Sequence, residues 1–147
     1  MPLWIYVYTP WVMAAYILVA LALNFGLLCA ASTCVESKPK KVRFALDRLT
    51  VAFMCAAAAN VAGFGIMGAF LTYGDIALQN SLSECNYDKS TVWVPILAVA
   101  TAMIISFLLT RFVLIGKRVE DKMNRTMLSG CFALLNAPYI LLIPMVI

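Results

Sequence analysis

Four stretches of this chain, Met1–Val35, Leu49–Gly74, Ser90–Thr110 and Thr126–Ile147, contain no Asp, Glu, Lys or Arg, and the shortest holds 21 residues. About 20 apolar residues suffice to cross a hydrocarbon layer roughly 30 Å thick, and an ionised side chain inside that layer is costly. Sorting every charge into the three intervening blocks is therefore the pattern of a chain that crosses a bilayer. Composition agrees, since 64% of the residues are hydrophobic, against roughly 45–50% in soluble domains. In lipid only helices and closed barrels satisfy their backbone groups. Barrel strands would alternate in polarity over segments of about 10 residues, and no such alternation runs along this chain. The sequence thus predicts an all-α integral membrane protein. It has four transmembrane helices over about residues 11–31, 49–73, 91–114 and 126–147, joined by short loops into one up-and-down bundle spanning residues 1–147.

The charged blocks set the orientation. Lys38, Lys40, Lys41, Arg43 and Arg48 fall in loop 36–48, and Arg111, Lys117, Arg118, Lys122 and Arg125 fall in loop 111–125. Loop 75–89 holds Lys89 alone, against Asp75, Glu84 and Asp88. Short basic loops stay on the cytoplasmic side, or the matrix or stroma side of an organelle, so both termini are expected on the outer side. Trp4, Tyr6, Tyr8, Trp11, Tyr73, Tyr87 and Trp93 then all sit at the outer interface, where amphipathic rings settle. Met1–Ala31 lacks a basic start and has too long an apolar run for a cleaved signal, so it reads as a retained first helix. The sequon at Asn124 faces inward and should carry no glycan. The net charge of +4 needs no nucleic acid to explain it. The basic inner face suits anionic structural lipids at most.

Several chemistries are excluded. The chain has no histidine, which removes bis-His haem, His-based metal sites and His acid–base catalysis. No carboxylate lies in a span, so a carboxylate proton relay is missing. Cys29, Cys34, Cys55, Cys85 and Cys131 show no CxxC spacing. Cys29, Cys55 and Cys131 read as small packing residues. Cys34, beside the basic loop, suits S-palmitoylation, and Cys85, in the outer loop, suits pairing with another chain. No catalytic group, metal or organic cofactor is expected.

Helix packing is written in the second span. Without a hydrophobic drive between helices in lipid, close backbone approach at small residues becomes a main source of association. Ala52, Ala56, Asn60 and Gly63 follow one face at helical spacing, and Ala58, Ala62, Gly65 and Ala69 follow another. A helix with two small faces belongs at the centre of the bundle. Asn24, Asn60 and Asn136, with Thr101 and Ser106, fall near the midplane of the four spans. Unpaired amides are costly in hydrocarbon, so these five groups should face inward and find one another. Pro138 should kink the last span, because it lacks an N–H and clashes with the carbonyl of Leu134.

These features favour a small non-catalytic membrane subunit that supports the assembly or stability of a larger membrane complex. Its partners would be other membrane subunits first and copies of itself second. The rival expectation is a homo-oligomeric channel or small-solute transporter lined by the three asparagines. A membrane enzyme acting on lipid stands third.

Overall fold

The computed structural model describes residues 10–35, 40–84, 87, 89–116, 119 and 121–142. These residues form helices and turns with no strand among them. Helix α1 runs over Pro10–Ala31, with proline in its first turn, where no backbone N–H is needed. Apart from Asn24 it is apolar on all sides, the pattern of a helix buried or suited to a membrane. It ends in a 3-10 turn, Ser32–Cys34. There Ser32 and Thr33 donate to the carbonyls of Cys29 and Ala30, both at 2.7 Å, occupying acceptors freed at the helix end.

Helix α2 spans Lys41–Tyr73, 33 residues. At 1.5 Å per residue it is about 50 Å long, well beyond a hydrocarbon thickness of roughly 30 Å. The second half of the expected basic loop is accordingly helical, and Lys41, Arg43, Asp47 and Arg48 ride on the first two turns of α2. A further helix, α3 (Ile76–Glu84), occupies what the sequence marks as outer loop. Its Leu82 is fully buried beside Met67, Val94 and Leu141, and Gln79 donates to the carbonyl of Gly74 at 2.8 Å.

Helix α4, Trp93–Leu109, takes Pro95 in its first turn and continues into a wider π-type turn over Thr110–Leu114, closed by Ile115 N–H donating to Thr110 O at 2.9 Å. Helix α5, Lys122–Leu135, is started by Asp121, whose carboxylate accepts from Met123 N–H at 3.0 Å. It starts four residues ahead of the expected fourth span and stops well inside it. The chain turns at Asn136 and resumes as a 3-10 segment, Tyr139–Leu142. Pro138 is the physical reason, since it cannot donate to Leu134 O and its ring crowds that carbonyl. At 14 residues, α5 is about 21 Å long. Among the described residues, three helices are long and apolar enough to cross a membrane: those carrying Ala14–Cys34, Lys41–Tyr73 and Trp93–Leu114.

Helix α2 packs most extensively on α4 and next on α1, and α5 lies against α4 and touches α1. Two apolar clusters hold the helices together. One gathers Leu28, Ala31, Phe44, Ala45, Ala52, Leu114 and Phe132. The other gathers Met67, Leu82, Val94, Ala98, Val99, Ala137 and Leu141. Along α1, α2, α4 and the α5 segment, Asn24, Asn60, Ser106 and Asn136 each sit next to or between the positions that feed these clusters. The fold is thus two apolar plugs with a polar layer near their junction.

Of the aromatic residues assigned to the outer interface, Trp11 and Tyr73 are exposed. Trp93 meets Phe70 edge-on, with ring centres 5.1 Å apart. Tyr87 is packed against the second cluster. Trp4, Tyr6, Tyr8, Lys38, Cys85, Lys117 and Arg118 lie outside the described residues.

Candidate functional site

The polar layer divides into two parts. Asn24, fully buried on α1, and Asn136, buried at the end of α5, face each other through their carboxamides. Asn24 Nδ2 donates to Asn136 Oδ1 at 2.8 Å, and Asn136 Nδ2 returns a bond to Asn24 Oδ1 at 3.1 Å. The second hydrogen of each amide goes to its own helix, to Ala20 O at 2.8 Å and Phe132 O at 3.0 Å. All four N–H groups and both oxygens are used. This closed network joins α1 to the break that follows α5.

Asn60 stands apart. It is 9% exposed, and its Nδ2 donates to the hydroxyl of Tyr16 on α1 at 2.8 Å. Its Oδ1 is buried and has no partner. Thr101, half-buried, and Ser106, buried, share α4, and neither is among the hydrogen-bond partners of the asparagines. The structure therefore brings together two of the five midplane groups and pairs a third with a tyrosine that the sequence reading did not single out. A signal for Tyr16 existed. It lies more than a helical turn beyond Trp11 in an apolar run, and a phenol among apolar neighbours needs a partner for its hydroxyl.

Tyr16 and Asn60 sit on the wall of a cavity of about 680 Å³ between α1 and α2, lined also by Ile17, Ala20, Phe53, Ala56, Ala57, Val61, Phe64 and Gly65 and reaching Asn136. Its origin is in the sequence. Helix α1 is held to the first cluster through Leu28 and Ala31, whereas Ala14, Ala15, Leu18 and Val19 of its other half are exposed. Small side chains at Ala20, Ala56 and Ala57 leave the space between Tyr16, Phe53 and Phe64 unfilled. The walls are almost entirely apolar.

The small residues of α2 separate into two faces with different fates. Ala52, Ala56 and Gly63 are buried. A Cβ on Gly63 would stand 3.1 Å from Ala98 O, 3.2 Å from Ala102 Cβ and 3.3 Å from Pro138 Cγ, so α2 and α4 meet backbone to backbone there. Ala58, Gly65 and Ala69 are exposed and Ala62 is half-buried. A Cβ on Gly65 would meet nothing within 4 Å. At about 100° per residue, the packed face, the cavity face and this open face lie roughly a third of a turn apart, with Gly65 on the border between the last two.

The described basic residues divide likewise. Lys40, Lys41, Arg43 and Lys122 are exposed and Arg48 is half-buried. Arg125 is committed internally: Nε and Nη2 donate to Val119 O at 3.0 and 2.7 Å. Arg111 donates to Thr126 at 3.0 Å and lies 5.8 Å from the Phe107 ring centre. Cys55 is buried, Cys29 and Cys34 are half-buried, and Cys131 is exposed instead of packed, because it faces away from both clusters. No group of three or more His, Cys, Asp or Glu that could hold a metal occurs among the described residues. No family model matches the chain, and neither does any curated protein or solved structure.

Proposed function

We propose that the chain is a four-span membrane protein, the broken segment after residue 121 providing the fourth crossing, with its basic loops on the cytoplasmic or organelle-interior side. In this reading it is a non-catalytic subunit that receives a transmembrane helix of another membrane protein on the open face of α2. The observation that carries the reading is the contrast between the two small faces of that helix. One is filled by α4 at backbone contact, and the other, with Ala58, Gly65 and Ala69 exposed, is left uncovered by the described residues. Two helices approach closely in lipid where small residues face each other, and a second such face on the central helix is surface of the same kind. A pore lined by all three asparagines has less support, because Asn24 and Asn136 already satisfy each other.

The test is the mass and composition of the particle extracted from its native membrane in a mild detergent. A stoichiometric complex with other membrane proteins is expected, and Ala69→Leu and Gly65→Leu should release the partner while leaving the unfolding midpoint in place. A wild-type particle containing one copy of this chain and no other protein refutes the reading. So does a complex that both variants leave intact.

A further inference from the structure

The Tyr16–Asn60 pair is chemically incomplete in a specific way. Asn60 Nδ2 donates to the Tyr16 hydroxyl oxygen, so the hydroxyl hydrogen points elsewhere and has no acceptor among the described residues. Asn60 Oδ1 is buried without a donor. The pair therefore offers one free acceptor close to the free Tyr16 hydroxyl hydrogen, with the second Asn60 amide hydrogen also unused, and a group that satisfies the acceptor and the hydroxyl together is one that accepts and donates at a single atom. A hydroxyl does this; an ether, a ketone or an ester carbonyl only accepts. A hydroxyl reaches both groups once a turn of the Asn60 carboxamide uncovers its buried oxygen, and a ring then closes from Asn60 Nδ2–H to Tyr16 O–H to the incoming O–H and back to Asn60 Oδ1.

The surroundings say what carries that hydroxyl. About 680 Å³ of space lies against the pair, walled by apolar side chains, within the roughly 300–1,000 Å³ of ordinary ligand pockets. The other carboxamide it reaches, Asn136, has its hydrogen-bonding groups occupied. Val61 lines the cavity and is 71% exposed, and Tyr16 is 39% exposed, so the space opens sideways between α1 and α2 toward the bilayer. Elsewhere the chain closes its buried carboxamides on each other, as at Asn24 and Asn136, and here it leaves one open beside an unfilled apolar space.

We propose that this wedge binds a predominantly apolar alcohol that enters from the membrane, a molecule with a hydrocarbon body and one hydroxyl, either a sterol or a long-chain alcohol. The site borders the open face of α2 at Gly65, but the inference does not rest on a partner helix there.

The experiment uses the full-length protein in phosphatidylcholine nanodiscs, with tritiated cholesterol and tritiated 1-hexadecanol as probes. Unlabelled cholesterol is compared with its 3-ketone as competitor, and 1-hexadecanol with its methyl ether. Saturable binding of at least one alcohol is expected, with about a tenfold preference over its acceptor-only analogue, because the analogue leaves Asn60 Oδ1 buried and unpaired. Which probe saturates identifies the body as ring system or flexible chain. Asn60→Leu and, at the half-exposed position, Tyr16→Phe should erase the preference while the analogue still binds. The proposal is overturned by equal affinity for alcohol and analogue, as a water-filled or nonspecific groove would give. It is equally overturned by a preference that survives both substitutions, or by saturable binding of neither alcohol.

Discussion

The Asn24–Asn136 pair yields a quantitative prediction. Leucine matches asparagine closely in shape, so Asn136→Leu removes the two inter-carboxamide bonds at 2.8 and 3.1 Å with little steric change. Interhelical hydrogen bonds in membranes contribute on average about 0.6 kcal/mol each, which makes the lost bonds worth about 1 kcal/mol. The larger part of the cost falls on the partner left behind. Asn24 keeps Nδ2 on Ala20 O, but its Oδ1 becomes a buried acceptor without a donor, at about 1–3 kcal/mol. Each single substitution should therefore destabilise by about 2–4 kcal/mol. The double substitution orphans nothing and should cost only about 1 kcal/mol. The assay is reversible unfolding by dodecyl sulfate in mixed micelles, followed by tryptophan fluorescence. A double variant no less stable than either single variant is the expected outcome, with a coupling of 2 kcal/mol or more by this arithmetic. Singles that simply add would show that the carboxamides do not depend on each other, and the reasoning from a closed network would fail.

Other substitutions separate the elements. Gly63→Ala places a methyl 3.1 Å from Ala98 O and should cost about 1–3 kcal/mol through overpacking, read as a lowered unfolding midpoint. Gly65→Ala, which meets nothing within 4 Å, should leave that midpoint unchanged. Asp121→Ala deletes the carboxylate that accepts from Met123 N–H at 3.0 Å and should cost about 1 kcal/mol, visible as faster amide exchange in the first turn of α5. Orientation is checked with single cysteines in a background where the native cysteines are replaced. In sealed vesicles of known sidedness, Lys40→Cys should react with an impermeant maleimide from the cytoplasmic or organelle-interior side and Lys89→Cys from the other. Reaction of both from one side would refute the assignment.

Much of this architecture is legible in the sequence because it follows from where the charges and the small residues fall. Absence of charge marks the apolar helices, and helical spacing of small residues marks α2 as central, the position it takes between α1 and α4. The break after α5 is less legible. Pro138 signals a disturbance, but a kink that continues and a stop that restarts as a 3-10 segment share the same proline. Packing decides between them: Pro138 is buried against Gly63 and Leu141 is buried in the second cluster, contacts that lie far apart in sequence. The helix over Ile76–Glu84 was hidden for a related reason, since its polar residues read as loop and two leucines, the buried Leu82 and the partly buried Leu78, anchor it to the core. Depth arithmetic could bring Asn24, Asn60 and Asn136 to similar heights, but it carries no rotation about the helix axis. Rotation and helix splay are what give Asn24 a carboxamide and Asn60 a phenol.

That difference between like residues leads to the remaining prediction. Asn60 makes one side-chain hydrogen bond, to the partly exposed Tyr16, and buries one unpaired oxygen. The bond contributes about 0.6 kcal/mol on the membrane scale, less than the roughly 1–3 kcal/mol that an orphaned buried acceptor costs. Asn60→Leu removes both terms and places apolar surface against Phe53 and Phe64. In the absence of a bound alcohol the variant should therefore be at least as stable as the wild type, whereas Asn24→Leu is strongly destabilised. Such a gain is the mark of a residue held at a cost to folding, as binding sites often are. The same mixed-micelle unfolding decides it. Should Asn60→Leu lose about 2 kcal/mol, as Asn24→Leu is expected to, Asn60 Oδ1 would have a structural partner in the folded chain, and the contrast between the two kinds of asparagine would collapse.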